Sequence, residues 1–440
     1  MFVPTVLKFE SMLASLKRLI PEQIKIAYHF LQALAGAAIF LFPSLKLKVI
    51  GVTGTDGKTT TVHLIYHILS ETGEKVSMIS TVQAKIRQKN IDTGFHVTTP
   101  DPIKVQQLLR KMLNAKSEYA ILEATSHGLA QERVAFVKFF ASAITNITHE
   151  HLDYHKTYEH YLNSKAKILN GVKLRVLNVD DKSFDKLKLR GGGQLVSYGI
   201  KNKADFKARD IEQSIEGLTF EIHFTDKREA KKIKIKSSIL GEYNVYNILA
   251  AFALTFNLGV EPEAIASSIA TFRGIEGRMQ YINIGQDFDT VVDFAHTPEG
   301  LRSALKTLKT VKKGRLISVF GCAGERDVGK RRLMGEIAAE LSDLSIFTAE
   351  DPRSEGVNKI IDEIEAGALK ESGVPEVTFW KVPDRKEAIY KAIVEFAKKD
   401  DTVAIFGKGH EKSMNIGGVE YPWSDENVAR EALKERLKVQ

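Results

Sequence analysis

A single cysteine, Cys322, stands in 440 residues, so an intramolecular disulfide and a zinc site built from several thiolates are both excluded. One cysteine fits a reducing, cytoplasmic setting, with the thiol as a small buried hydrophobe. No apolar run reaches the ~20 residues that a spanning helix needs; the most hydrophobic stretch, 26–42, is interrupted by His29 and Gln32. A basic region followed by an apolar run and a small-residue cleavage site is also missing at the N-terminus, so no signal peptide is expected. Internal repeats and low-complexity tracts are absent. So is any tract of interleaved aromatic and basic residues, which argues against a nucleic-acid partner.

What is present is a chain with 43% hydrophobic residues, enough for a sizeable core and two or three domains. Its formal charge of +8 favours anionic partners in general. The stretch 49–61, VIGVTGTDGKTTT, organises the rest. A β-branched run leads into Gly54-Thr55-Asp56-Gly57-Lys58-Thr59-Thr60, and a helical pattern follows. That is strand, phosphate loop, helix: backbone N–H groups and a helix terminus can surround phosphate oxygens. In this pattern Lys58 neutralises phosphate and Thr59 offers a hydroxyl to Mg²⁺.

Residues 1–47 read as a short helical segment with six Lys/Arg against two Glu when counted to residue 48. It is either a cap on the following domain or an interfacial helix making peripheral contact with a membrane. From 48 to 277, apolar runs (48–53, 119–124, 141–147, 175–178) alternate with helical ones (59–70, 103–114, 157–170), predicting a mainly parallel sheet covered on both faces. Residues 201–236 alternate apolar with charged, as a half-exposed β meander does. A second alternation over 278–440 predicts another α/β unit, with strands near 290–294, 315–320, 344–348, 378–381 and 402–406. The fold class is α/β: a P-loop central domain, a Rossmann-like C-terminal domain and a short helical N-terminal segment.

Two clusters follow the loop. Glu123 ends a predicted strand, where ligands of parallel sheets bind, and is either an Mg²⁺ ligand or a loop carboxylate. Residues 146–155, NITHEHLDYH, gather three histidines and two acids without the spacing of a zinc helix.

Together, GTDGKTT (54–60), TTPDP (98–102), EATSHGL (123–129), NITHEHLDYH with SKAK (164–167), GEYNVYN (241–247), GRMQ (277–280), DFAHTPEGL (293–301), FGCAGERDVGKRRLMG (320–335), EDPR (350–353) and GKGHE (407–411) resemble the Mur ligases. Within them the chain is most similar to the MurE group, the UDP-N-acetylmuramoyl-tripeptide synthetases. The resemblance runs from about residue 48 to the C-terminus. It implies that ATP phosphorylates a carboxylate of a muramyl peptide and that the amine of an amino acid, diaminopimelate- or lysine-like, displaces the phosphate.

By the same resemblance Lys58, Glu123, His151 and Lys165 are catalytic. Thr59, Glu123, His151 and a carbamylated Lys165 would hold two Mg²⁺. For Lys165 to add CO₂ its amine must be neutral, far below the ordinary lysine pKa of ~10.4. ATP would meet Gly54 through Thr60, Asn244, Asn247, Arg278 and Asp293. Thr98, Thr99, Ser126 and His127 would contact the acceptor, and Asp351, Arg353, Gly407 and Glu411 the amino acid. Asp351 stands where the family signature has an asparagine, so an acceptor-only carboxylate replaces a group that can also donate. The N-terminal domain that grips uridine diphosphate in the family is expected to have no counterpart in these residues. The alternatives are therefore a lipid-linked, pseudomurein-like or folylpolyglutamate-type acceptor. A cytoplasmic monomer is expected.

Overall fold

The protein is seen in a computed structural model that describes residues 21–91, 99–148, 152–214 and 216–439. Thr98 and His151 lie outside the described residues.

In chain order the first sheet comprises β1 (Lys48–Thr53), β2 (Val76–Ile79), β3 (Ala84–Ile86), β4 (Lys89–Ile91), β5 (Tyr119–Glu123), β6 (Phe139–Ile144), β7 (Leu174–Asn178), β8 (Gln194–Gly199), β9 (Phe206–Ser214), β10 (Gly217–Asp226) and β11 (Glu229–Ser237). Its spatial order is β11-β10-β9-β8-β7-β6-β1-β5-β2-β3-β4. β1 is central and pairs in parallel with β5 and β6. Alternation sends Ile50 and Val52 to one face, under helices Lys58–Glu71 and Glu242–Asn257, and Val49 to the other, under Pro102–Asn114 and Tyr158–Ala166. The periphery is antiparallel: β9, β10 and β11 form the meander, whose lysines lie on its exposed side.

The second sheet comprises β12 (Gln280–Tyr281), β13 (Asp289–Asp293), β14 (Leu316–Phe320), β15 (Leu344–Phe347), β16 (Phe379–Lys381) and β17 (Thr402–Phe406), in the order β12-β13-β17-β14-β15-β16 and parallel except for β12. Cys322 is buried with its Sγ 3.6 Å from Met334 Sδ, and burial pushes its thiol up to about 12, which leaves it inert.

Some predicted elements need correction. The run 141–147 is not strand throughout: β6 stops at Ile144, because the polar groups of Thr145 and Asn146 are spent on the phosphate loop. The helix over 157–170 ends at Ala166 and closes in a 3₁₀ turn, Lys167–Leu169. β2, the β3–β4 hairpin, β12 and the hairpin β18 (Ser413–Ile416)–β19 (Val419–Pro422) carry too few residues to show a period of their own, and β8, as long as β1, is not among the expected strands.

Candidate active site

β1 delivers the chain into a loop whose shape depends on two glycines. A Cβ on Gly54 would overlap the Thr145 hydroxyl, and one on Gly57, at φ +80°, would overlap the Asn247 side chain. Asn146 Oδ1 accepts from the N–H groups of Thr55 (3.1 Å) and Asp56 (2.8 Å), while the Thr145 hydroxyl donates to the Asp56 carbonyl at 2.6 Å. These bonds fix the loop from within the protein. Asn146 and Thr145 escaped the sequence-derived site set, although Asn146 opens the NITHEHLDYH motif.

Four expected residues meet on this loop. The Lys58 amine donates to the Thr55 carbonyl at 2.7 Å. The Thr59 hydroxyl donates to Glu123 Oε1 at 2.9 Å, and Glu123 also accepts from the Thr81 hydroxyl (2.8 Å) and backbone N–H (2.9 Å). Lys165 is fully buried; its amine donates to the Gly54 carbonyl at 2.5 Å and lies 4.6 Å from the Tyr161 ring centre. Lys167, two positions on, pairs with Glu132 at the surface, so only one lysine of SKAK points inward. Loop amides, the helix N-terminus and Lys58 suit a polyphosphate, and the hydroxyl and carboxylate of Thr59 and Glu123 are hard oxygen donors of the kind Mg²⁺ takes.

The loop opens on a cleft of about 1330 Å³ between the two sheets, lined by Asp56, Gly57, Thr60, Asn244, Asn247, Arg278 and Asp293 among others. Asn247 Nδ2 donates to Asn244 Oδ1 at 2.8 Å, and Asn244 Nδ2 donates to the Leu240 carbonyl at 2.6 Å. Arg278 lies 4.4 Å over the Phe294 ring. Asp293 accepts from the N–H groups of Met279 (2.7 Å) and Ala295 (2.8 Å); burial pushes its carboxyl up, against the opposing pull of Arg278. Gln213, unmarked by any motif, crosses between the sheets: it accepts from the Gly241 N–H at 2.9 Å and donates to the Thr310 hydroxyl at 2.6 Å.

On the other side of the loop, Thr99 Oγ1 accepts from the Thr125 N–H at 3.0 Å, and Thr125 caps the short helix Ser126–Ala130. Thr99, Ser126 and His127 are thus neighbours, with the His127 ring 4.3 Å from that of Tyr154. In the second sheet's domain, Asp351 Oδ1 accepts from the buried Lys408 amine (2.8 Å) and the Asn415 N–H (2.9 Å). Both partners are donors, so an acceptor-only side chain serves here. Lys408 also meets Glu411 at 2.5 Å; burial alone would lower its pKa, but Glu411 and Asp351 hold it above the ordinary value. Gly407 (φ +111°) lies against Glu350, and Arg353 (φ +54°) is fixed by its backbone to Asn415 and Gly417. Arg385, missed in the sequence, organises these loops: fully buried, it pairs with Asp425 at 2.6 Å and donates to the carbonyls of Ala349 and Phe406.

Residues 52–255 match the family described as Mur ligase middle domain, and 277–409 that described as Mur ligase, glutamate ligase domain. The UDP-N-acetylmuramoyl-L-alanyl-D-glutamate--2,6-diaminopimelate ligase 1 of Clostridium acetobutylicum is 38% identical over 405 residues, 92% of this chain and 81% of that protein. The chain belongs to the Mur ligases. The corresponding Aquifex aeolicus ligase is 39% identical over 394 residues, 89% of this Mur ligase and 78% of that protein. A solved structure of a UDP-N-acetylmuramoyl-L-alanyl-D-glutamate--2,6-diaminopimelate ligase superposes with a TM-score of 0.61 at 32% identity, covering 89% of this chain and 79% of that one. This Mur ligase is an ATP- and Mg²⁺-dependent carbon–nitrogen ligase of the MurE type, acting in peptidoglycan precursor synthesis.

The Mur ligase buries two imidazoles near Arg278. His63 bonds to Ser80 at 3.0 Å, and burial, with Lys85 and Arg278, takes it down to about 3. Burial, with Arg278 and Lys412, takes His410 to about 3 as well. Unfolding lets each bind a proton below its ordinary pKa near 6.5, while the folded chain resists until about 3. Stability is therefore full above pH 6.5 and lost as pH falls through that window. Melting temperatures should drop from pH 6.5 to 4, and less steeply in His63→Asn/His410→Asn; identical slopes would remove this assignment.

Proposed function

We propose that this ligase joins 2,6-diaminopimelate to a carboxylate of UDP-N-acetylmuramoyl-L-alanyl-D-glutamate, the reaction named for its relatives at 35–39% identity. The terminal phosphoryl group of ATP passes to the carboxylate oxygen, giving ADP and an acyl phosphate. The amine attacks the acyl carbon, the C–O bond to phosphate breaks, and the amine gives up its proton. The observation that carries this reading is the tie of Thr59, Glu123 and Lys165 to one phosphate loop at the edge of the interdomain cleft.

Lys58 and the loop amides would bind phosphate, and Thr59 and Glu123 would hold Mg²⁺, which would offset phosphate charge. Lys165 as a carbamate and His151 are assigned to a second ion. Asn244 and Asn247 line the wall for adenine, and Arg278 and Asp293 meet the nucleotide across the hinge, where closure excludes water from the acyl phosphate. Thr99, Ser126 and His127 would contact the muramyl peptide, and Thr98, outside the described residues, is assigned to it as well. The domain borders are placed at 47/48, where β1 begins, and at 277/278.

Asp351, Arg353, Gly407 and Glu411 receive the amino acid, Arg353 through the distal carboxylate. A charge-assisted pair of that kind contributes ~1.5–3 kcal/mol, so Arg353→Ala should raise the KM for diaminopimelate roughly 10- to 100-fold. The KM for ATP should hold; a parallel rise in both would place Arg353 elsewhere.

Phosphate release with ATP, Mg²⁺ and the UDP-linked acceptor tests the whole reading. It should depend on diaminopimelate and not on lysine. Turnover only with a lipid-linked or glutamyl acceptor would move the substrate, and sizing the active enzyme checks the expected cytoplasmic monomer.

A further inference from the structure

Helix Glu22–Ile39 packs one narrow side, through Ala33, Gly36 and Ala37, on helix Pro102–Asn114. Its opposite side is apolar and uncovered among the described residues. Ile24, Tyr28, Leu31 and Ile39 recur at helical spacing, and Leu41 and Leu45 follow in the turn; each is more than half exposed. Isolated exposed apolar residues need no explanation, but a continuous stripe of this length does. On the second helix Ile103, itself exposed, lies against Gly36 at the seam between the two. There the outward positions turn basic: Lys104, Arg110 and Lys111 are not buried, and residues 102–114 contain no acidic side chain. The helix Glu22–Ile39 is not apolar enough to cross a bilayer, and no other described helix is.

We propose that this two-helix face rests on an anionic lipid surface, the apolar stripe entering the headgroup–acyl boundary and the lysines and arginine meeting lipid phosphates. An apolar strip bordered by cations is the pattern that binds such an interface; a homodimer through the same face would bring the basic borders of two copies together. The face flanks the acceptor side of the molecule: His29 lies beside Arg133 and Asp101, and Arg133 donates to the Thr99 carbonyl at 3.1 Å. Docking therefore sets the Thr99 edge near the membrane. The inference stands apart from the identity of the substrate, because its readout needs no turnover.

The test is co-sedimentation of the full chain with vesicles of phosphatidylcholine alone and of phosphatidylcholine with phosphatidylglycerol. Binding should be at least roughly tenfold tighter to the anionic vesicles. Leu31→Glu/Ile39→Glu should abolish it, and Lys104→Glu/Lys111→Glu should erase the preference for anionic lipid, both with unchanged melting temperatures because the altered side chains face outward. Failure of the unaltered chain to bind either vesicle, as would follow if its own first residues cover the stripe, overturns the proposal. So does undiminished binding by Leu31→Glu/Ile39→Glu, or a solution dimer that this pair dissociates without any lipid binding.

Discussion

Lys165→Ala should leave the folded enzyme without measurable amino-acid-dependent phosphate release, a loss on the order of 10³-fold or more in kcat for a group acting on transition-state charge. The side chain is fully buried beside Tyr161 and bonded to the Gly54 carbonyl, so it reaches the phosphate loop directly. The neutral amine is the form that adds carbon dioxide. Addition turns a cation that would repel Mg²⁺ into an oxygen ligand. A short carboxylic acid supplied to Lys165→Ala should restore part of the rate, because it fits the space vacated and offers the same oxygens. The intact protein should also lose activity on removal of bicarbonate and regain it on its return. Unchanged turnover in Lys165→Ala would end the second-ion assignment; loss without chemical rescue would leave Lys165 as a brace for the loop.

Lys58→Ala should cost a comparable factor, on the order of 10²–10³ in kcat, with the fold intact. Its amine is held by the uncharged Thr55 carbonyl, in contrast to Lys408, which is locked between Asp351 and Glu411. Leaving a neutral acceptor for a phosphate oxygen costs little, and the gain is largest when charge develops on the transferring group. Lys58→Arg should recover little, because a planar fork does not reproduce a point charge in a loop this tight. A rise in the KM for ATP at unchanged kcat would mean that Lys58 serves ground-state binding alone.

The phosphate loop was legible because its chemistry is local: strand, glycines, lysine and helix start are contiguous, and β1 runs over 48–53 as its β-branched pattern predicts. Glu123 was legible for a similar reason, standing at the end of β5. Lys165 was harder to read, since nothing within SKAK says which lysine turns inward. Asn146 lay inside a noticed motif, yet its task of capping two loop amides depends on where β6 ends. Arg385 and Gln213 carried no local signal, because their partners are 21 to 40 and 28 to 97 positions away respectively.

Sequence by itself determined the α/β alternation, the nucleotide loop and the order of motifs that marks a Mur ligase, since each depends on residue types and spacings within a few turns of chain. Only the tertiary structure decided which lysine is buried against the loop and that Asp351 is matched by two donors. It alone also joined loop, Asn247 and Arg278 into one cleft and left an apolar stripe uncovered beside a basic helix. Those outcomes depend on which distant segments pack together and which faces are left over, and packing is settled by the summed burial of the whole chain rather than by any one stretch of it.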